Sequence, residues 1–163
     1  MIGFMGTGKT TVSGILKKLL NRPELDVDAM IVEEQHMPVS EIFSQNGEPY
    51  FRDLESEMME KIAEMGPAIV SCGGGAVLRE RNVKVMKESG TIVLLTASPQ
   101  TVYNRIRYSH DRPVLNGHME VSYIEQLMEK RRAAYEAACD AAVITDGKTP
   151  AEVADEIVRI IHA

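Results

Sequence analysis

Tryptophan is absent from this 163-residue chain, and only 5% of its residues are aromatic. The core must therefore be mainly aliphatic, drawn from the 44% of residues that are apolar. Cysteine is scarce. Cys72 and Cys139 have no metal-type spacing, and they read as reduced thiols of a cytoplasmic protein. The four histidines, His36, His110, His118 and His162, are scattered and show no ligand pattern. No apolar run approaches the length of a membrane span, and no secretory signal pattern opens the chain. Positive charge is in the minority: 18 Lys and Arg stand against 24 Asp and Glu, a net charge of -6. The mean field of such a chain repels phosphate polymers, which argues against nucleic acid and membrane as partners. Repeats, linkers and low-complexity segments are also missing.

What remains is a length that suits one compact domain, in which strand-like and helix-like segments alternate. Only Met1 and Ile2 precede a glycine-rich loop. A helix is predicted over about Lys9 to Leu20, with Val12, Ile15, Leu16, Leu19 and Leu20 on its buried face. Leu25 to Asp28 reads as a brief strand. Ala29 to Met65 reads as helix broken at Pro38 and Asn46-Gly47, with Phe51, Leu54, Met58, Ile62 and Met65 along one face. Strands are expected at Ala68 to Cys72, Thr91 to Thr96 and Ala141 to Thr145. Helices are expected at about Glu80 to Glu88, after the cap Ser98-Pro99, and over Val121 to Ala138. A final helix follows the capping box that begins Thr149-Pro150 and closes at Glu152.

Gly3-Phe4-Met5-Gly6-Thr7-Gly8-Lys9-Thr10 matches the pattern G-x-x-x-x-G-K-[ST] between a strand and an amphipathic helix. Glycines let backbone N–H groups curl around a phosphate at a helix start, where the dipole favours anions. Lys9 can reach the β- and γ-phosphates of a nucleoside triphosphate, and the Thr10 hydroxyl can ligate Mg²⁺. Gly6, Thr7, Gly8 and Thr11 complete the expected phosphate contacts.

Four further features bear on an acceptor. In Asp26-Val27-Asp28, residues two apart on an extended segment share a face, so both carboxylates can address one site. One can assist Mg²⁺ and the other can accept a hydroxyl proton. Arg52 and Glu55 are three apart on a helix. That spacing gives either a weak surface ion pair or an arginine held ready for a carboxylate. Gly73-Gly74-Gly75 ends a buried strand, the edge where open α/β sheets bind ligands. Among Arg105, Arg107, Arg112, Arg131 and Arg132, Arg112 lies in a polar loop and could close on a γ-phosphate. Arg107 and Arg132 read as surface arginines. These residues alone describe a kinase for a small carboxylate-bearing alcohol.

Together the motifs resemble the shikimate kinases, members of the nucleoside-monophosphate-kinase-like group of P-loop proteins. The resemblance runs through nearly the whole chain. It rests on Gly3 to Thr10, Asp26-Val27-Asp28, E-I-F-S-Q-N-G-E-P-Y-F-R-D-L-E from Glu41 to Glu55, and Gly73 to Gly75. It continues in Arg112-Pro113-Val114-Leu115 and in Leu127, Arg131 and Tyr135. It implies a three-layer α/β/α domain over 1–163 with a five-stranded parallel sheet, a substrate-binding segment at about 28–58 and a lid at about 107–118. It also implies transfer of the ATP γ-phosphate to the 3-hydroxyl of shikimate, in the pathway to chorismate and the aromatic amino acids. By the same resemblance Asp28 is base or orienter for that hydroxyl. Arg52 and Arg131 clamp the carboxylate, and Gly73, Gly74 and Gly75 line the substrate pocket. Asp26 acts near Mg²⁺ through water, and Arg112 is the lid arginine. Arg105 is the adenine-stacking arginine, and Lys148 stands in the adenine-side loop. The family's members are mostly monomers.

Two departures stand out. The family carries several more apolar residues ahead of the phosphate loop, and its lid reads R-P-L-L where this chain has R-P-V-L. The alternatives are another small-molecule kinase of the same fold, such as a gluconate kinase, and a nucleotide-binding paralogue that does not catalyse.

Overall fold

The computed structural model describes residues 1–108, 115, 118 and 120–162. Among the described residues, seven α-helices and four strands follow one another in the order α1 (Lys9–Leu19), β1 (Glu24–Asp26), α2 (Val27–Gln35), α3 (Val39–Glu64), β2 (Ile69–Ser71), α4 (Glu80–Ser89), β3 (Val93–Thr96), α5 (Pro99–Ile106), α6 (Val121–Ala138), β4 (Ala141–Ile144) and α7 (Pro150–Ile161). A 3₁₀ turn at Ala76–Leu78, unexpected from the sequence, joins β2 to α4.

Local chemistry explains several boundaries. Ser98 caps α5 by accepting from the Thr101 amide, and Pro99 fills its first turn. Thr149 and Glu152 form the reciprocal capping box that opens α7. Within α3, Gly47 leaves helical geometry at φ 83° and ψ 166°. That break accommodates Pro49, whose ring and missing N–H would disrupt a continuous helix.

The strands pair in parallel as β1 with β2 and β3 with β4, so the described strands make two two-stranded sheets rather than one of five. Met1 and Ile2 are too short to count as a strand, yet they lie between the pairs. The Met1 carbonyl accepts from the Cys72 amide at 3.0 Å on one side. On the other, the Ile2 amide donates to Val93 and the Ile2 carbonyl accepts from Leu95, both at 2.9 Å.

Two apolar clusters lie on opposite faces of β3. Val93 and Leu95 pack with Val12 and Leu16 of α1 and with Val153 and Ile157 of α7. Leu94 points the other way, among Phe51, Met58, Ile106 and Ile124. Two expected core positions are exposed instead: Leu19 at the end of α1, and Met65 just past the end of α3. Each falls where its helix stops and the buried stripe runs out. Among the described residues, no helix is long and apolar enough to cross a membrane.

Candidate active site

The phosphate loop wraps the start of α1. Gly6 and Gly8 take φ values of 76° and 97°, in the left-handed region where a Cβ is costly. Lys9 bends back over the loop, donating from Nζ to the carbonyls of Gly3 at 2.8 Å and Phe4 at 3.0 Å. Thr7 is buried and its hydroxyl donates to the Phe4 carbonyl. A methyl group on Gly6 would come within 2.7 Å of Ile106 Cγ2. Gly6→Ala should therefore cost on the order of 1–3 kcal/mol in strain and clash, and should leave the melting temperature unmoved by an added nucleoside triphosphate where the parent's is expected to rise. Thermal melts with and without nucleotide check it.

Asp26 and Asp28 reach the cleft by a different route from the one expected. They do not share an extended segment. Asp26 ends β1 and caps α2, accepting from the Ala29 amide at 3.1 Å, while Asp28 stands in the first turn of α2. The strand-to-helix turn aims both at the cleft. Asp26 Oδ2 accepts from Thr10 Oγ1 at 3.3 Å, which places a hydroxyl and a carboxylate oxygen side by side. Two hard oxygen donors of this kind suit Mg²⁺. No group of three or more His, Cys, Asp or Glu side chains among the described residues could hold a metal ion. A magnesium ion that keeps its waters and takes phosphate oxygens needs none.

The glycine triplet after β2 is the meeting point of the acceptor residues. An added Cβ on Gly73 would lie 2.6 Å from Glu55 Oε1 and 2.7 Å from Asp28 Oδ1. One on Gly75 would fall into the Arg52 guanidinium. The Gly74 carbonyl accepts from Arg131 Nη1 at 3.2 Å and from the Tyr135 hydroxyl. Three consecutive residues without side chains thus leave room for Asp28, Arg52, Glu55 and Arg131 to converge.

The pair Arg52 and Glu55 is not a surface ion pair. Glu55 has no exposed area, and Arg52 Nη1 meets Glu55 Oε2 at 2.9 Å. A second carboxylate, Glu48, holds Arg52 Nη2 at 3.0 Å. Burial works against the Arg52 charge, but Glu55 and Glu48 outweigh it and keep the guanidinium firmly protonated. Burial pushes the Glu55 carboxyl up, against the pull of Arg52. Burial also raises the Tyr135 phenol, which keeps its proton and donates it to Gly74. Arg131 is buried on the facing helix α6, with its guanidinium 5.8 Å from the Phe4 ring centroid.

At the other end of the cleft, Arg105 donates from Nη1 to the Gly6 carbonyl at 3.1 Å and to Thr145 Oγ1 at 3.0 Å. Lys148 stands there too, paired with Glu156 at 2.5 Å. One cleft of about 490 Å³ runs from Asp28, Gly73 and Gly74 past the phosphate loop, with Thr10 and Thr11, to Arg105, Lys148 and Pro150; Arg52, Gly75 and Arg131 stand behind its wall rather than in its lining. Arg107 lies over the Tyr108 ring, and Arg132 pairs with Glu129 on the exposed face of α6. Arg112 and most of the expected lid lie outside the described residues. Sequence reasoning did not single out Glu48 or Thr145. Glu48 stands one helical turn before Arg52, a signal available in the sequence. Thr145 meets Arg105 across 40 residues, and no local pattern marks it.

A phosphate loop between parallel strands, with carboxylates and arginines gathered beside it, defines a P-loop kinase of a small molecule. A family profile described as shikimate kinase matches residues 5–162. The chain is 41% identical to a shikimate kinase of Thermodesulfovibrio yellowstonii, over 98% of this chain and 91% of that one. It is likewise 41% identical to a shikimate kinase of Moorella thermoacetica, over 100% and 93% of the two chains. Among solved structures, shikimate kinase from Acinetobacter baumannii in complex with shikimate superposes with a TM-score of 0.94 at 27% identity, covering 99% of this chain and 90% of that one. The chain belongs to the shikimate kinase family. A gluconokinase from Sinorhizobium meliloti, at 21% identity and a TM-score of 0.59 over 99% and 93% of the two chains, shares the fold alone.

Proposed function

We infer that this protein is a shikimate kinase, transferring the ATP γ-phosphate to the 3-hydroxyl of shikimate. The observation that carries the reading is the convergence of Asp28, Arg52 and Arg131 on the Gly73–Gly75 backbone beside the phosphate loop. The acceptor is a carboxylic acid with hydroxyl groups, and the site offers guanidinium groups for the first and a carboxylate for the second. Arg52 and Arg131 hold the acceptor's carboxylate, and Gly73, Gly74 and Gly75 line its pocket. Asp28 orients the reacting hydroxyl and takes its proton. The hydroxyl oxygen bonds to the γ-phosphorus as the bond from that phosphorus to the β–γ bridging oxygen breaks, and ADP leaves. Positioning and charge stabilisation supply most of the acceleration.

On the nucleotide side, the amides of Gly6, Thr7, Gly8, Lys9, Thr10 and Thr11 bind phosphate oxygens at the start of α1. Lys9 exchanges loop carbonyls for phosphate oxygens, and Arg105 and Lys148 flank the base. Thr10 would hold Mg²⁺ directly and Asp26 would hold it through water. Held there, the ion would supply positive charge against the phosphates. Arg112 is assigned to the γ-phosphate from its place in the sequence.

The whole chain works as one domain, with 28–58 as its substrate-binding segment and 107–118 as its lid. Met1 and Ile2 serve as the middle strand of a five-stranded parallel sheet, since their hydrogen bonds reach both pairs. The protein acts as a cytoplasmic monomer.

A coupled ADP-release assay tests the reading. Shikimate should raise ADP release at least a hundredfold over the ATP-only rate, while gluconate leaves it near that rate. Equal stimulation by both acids, or none by shikimate, would overturn it.

A further inference from the structure

We propose that Asp146 is a positioning residue for the nucleotide's base, latching helix α5 to the loop that forms the far end of the cleft. The proposal rests on the nucleotide reading of that cleft. Asp146 Oδ1 accepts from Ser98 Oγ at 2.7 Å and from Thr101 Oγ1 at 2.5 Å, and Oδ2 accepts from the Ser98 amide at 2.9 Å. Four further side-chain and backbone contacts extend the latch. One turn beyond Thr101, on the same face of α5, Arg105 donates to Thr145 Oγ1 at 3.0 Å, to the Thr145 carbonyl at 3.2 Å and to the Gly6 carbonyl at 3.1 Å. Thr145 Oγ1 in turn donates to the Thr96 carbonyl at 3.0 Å. Helix α5 is thus tied at both ends to the residues that leave β4.

Those ties matter because of what α5 and the loop carry. Ile106 of α5 packs against Gly6 so closely that a Cβ there would clash. The loop turns at Gly147, with φ 68°, and delivers Lys148 and Pro150 to the cleft wall. The latch therefore sets the gap between α5 and the loop, on the side of the phosphate loop away from Asp28 and Gly73. That gap is where the base and ribose of a bound triphosphate lie. Burial opposes the Asp146 charge, but the Thr101 and Ser98 hydrogen bonds and nearby Arg105 prevail and hold the carboxyl below its usual range. The latch therefore stays charged throughout the neutral range.

Asp146→Ala should raise the ATP dissociation constant about tenfold, the lower end of what a lost hydrogen bond to a charged group is worth. The KM for shikimate should stay within about twofold of the parent value, because that ligand lies at the other end of the cleft. Inorganic tripolyphosphate supplies the discriminating probe, since it offers phosphates without a base. Calorimetry should show its affinity shifting by less than about twofold while ATP loses about tenfold. Thr101→Val removes one donor to Asp146 and keeps the Ser98 cap, so it should shift ATP in the same direction by a smaller factor; it carries the test if Asp146→Ala does not fold. An equal loss for ATP and tripolyphosphate, or unchanged ATP affinity, overturns the role of Asp146. Wild-type protein that binds ATP no better than tripolyphosphate overturns the nucleotide reading, and this inference with it.

Discussion

Replacing Asp28 with asparagine should lower kcat by roughly two to four powers of ten while leaving ATP and shikimate bound, the usual range for a residue that moves a proton in the transition state. The substitution is nearly isosteric. It keeps an oxygen to accept a hydrogen bond, and it removes the site that takes the proton. Asp28 stands at the start of α2 beside Gly73, where a Cβ would collide with its carboxylate. In the proposed reaction the acceptor hydroxyl lies between Asp28 and a phosphate bound at Gly8 and Lys9. Titration of each ligand together with steady-state turnover separates the possibilities. Turnover within a factor of about three of the parent would remove Asp28 from the chemistry, because no proton-transfer residue costs so little. A large rise in shikimate KM with unchanged kcat would make it a binding group instead.

Arg52→Ala should lose more than shikimate affinity. The substitution leaves Glu55, which has no exposed surface, without its ion-pair partner. Removing one member of a buried pair typically costs about 3–5 kcal/mol, because a charge remains in a poor solvent. The pH dependence identifies the cause. Burial already raises the Glu55 carboxyl against the pull of Arg52. A carboxyl raised in the folded state holds its proton more tightly there than in the unfolded chain. Its favourable contribution is complete below the unfolded value and is lost as pH rises through the folded one. Without Arg52 the folded value climbs further, so the penalty should be larger at neutral pH than in mild acid. Urea unfolding at two pH values measures it, and Arg52→Ala combined with Glu55→Gln should recover much of the loss. A penalty independent of pH would mean that Glu55 is not the cause. Arg131→Ala offers the contrast. It should weaken shikimate binding with a smaller stability loss, since its partner is a backbone carbonyl.

The features legible in the sequence were those whose signals are local. The phosphate loop, the Ser98-Pro99 and Thr149-Pro150 helix starts, and the full extent of α6 each depend on residues within a few positions of one another. The break at Gly47 followed from glycine and proline chemistry alone. The strands differ from the expected bounds by one or two residues at most ends, β1 starting at Glu24 and β4 ending at Ile144, because composition does not mark where ladder hydrogen bonds stop. The D-x-D spacing suggests an extended segment, whereas β1 gives way to α2 between its two aspartates. Helical spacing brought Arg52 and Glu55 together, but it could not show that α3 turns them inward. Contacts between distant segments, such as Asp146 with Ser98, leave no periodic trace. They are set by how β3 and β4 align, which no short window contains.

Met1 and Ile2 form the seam between β2 and β3, and the polypeptide passes directly from that seam into the phosphate loop. Whatever fastens the loop also fastens the join between the two strand pairs. Occupancy then acts as mortar: at a hundredfold excess over its dissociation constant, a bound nucleotide contributes about 2.7 kcal/mol to the intact fold. A cell rich in ATP would keep this enzyme better assembled than a depleted one, without any change in its sequence.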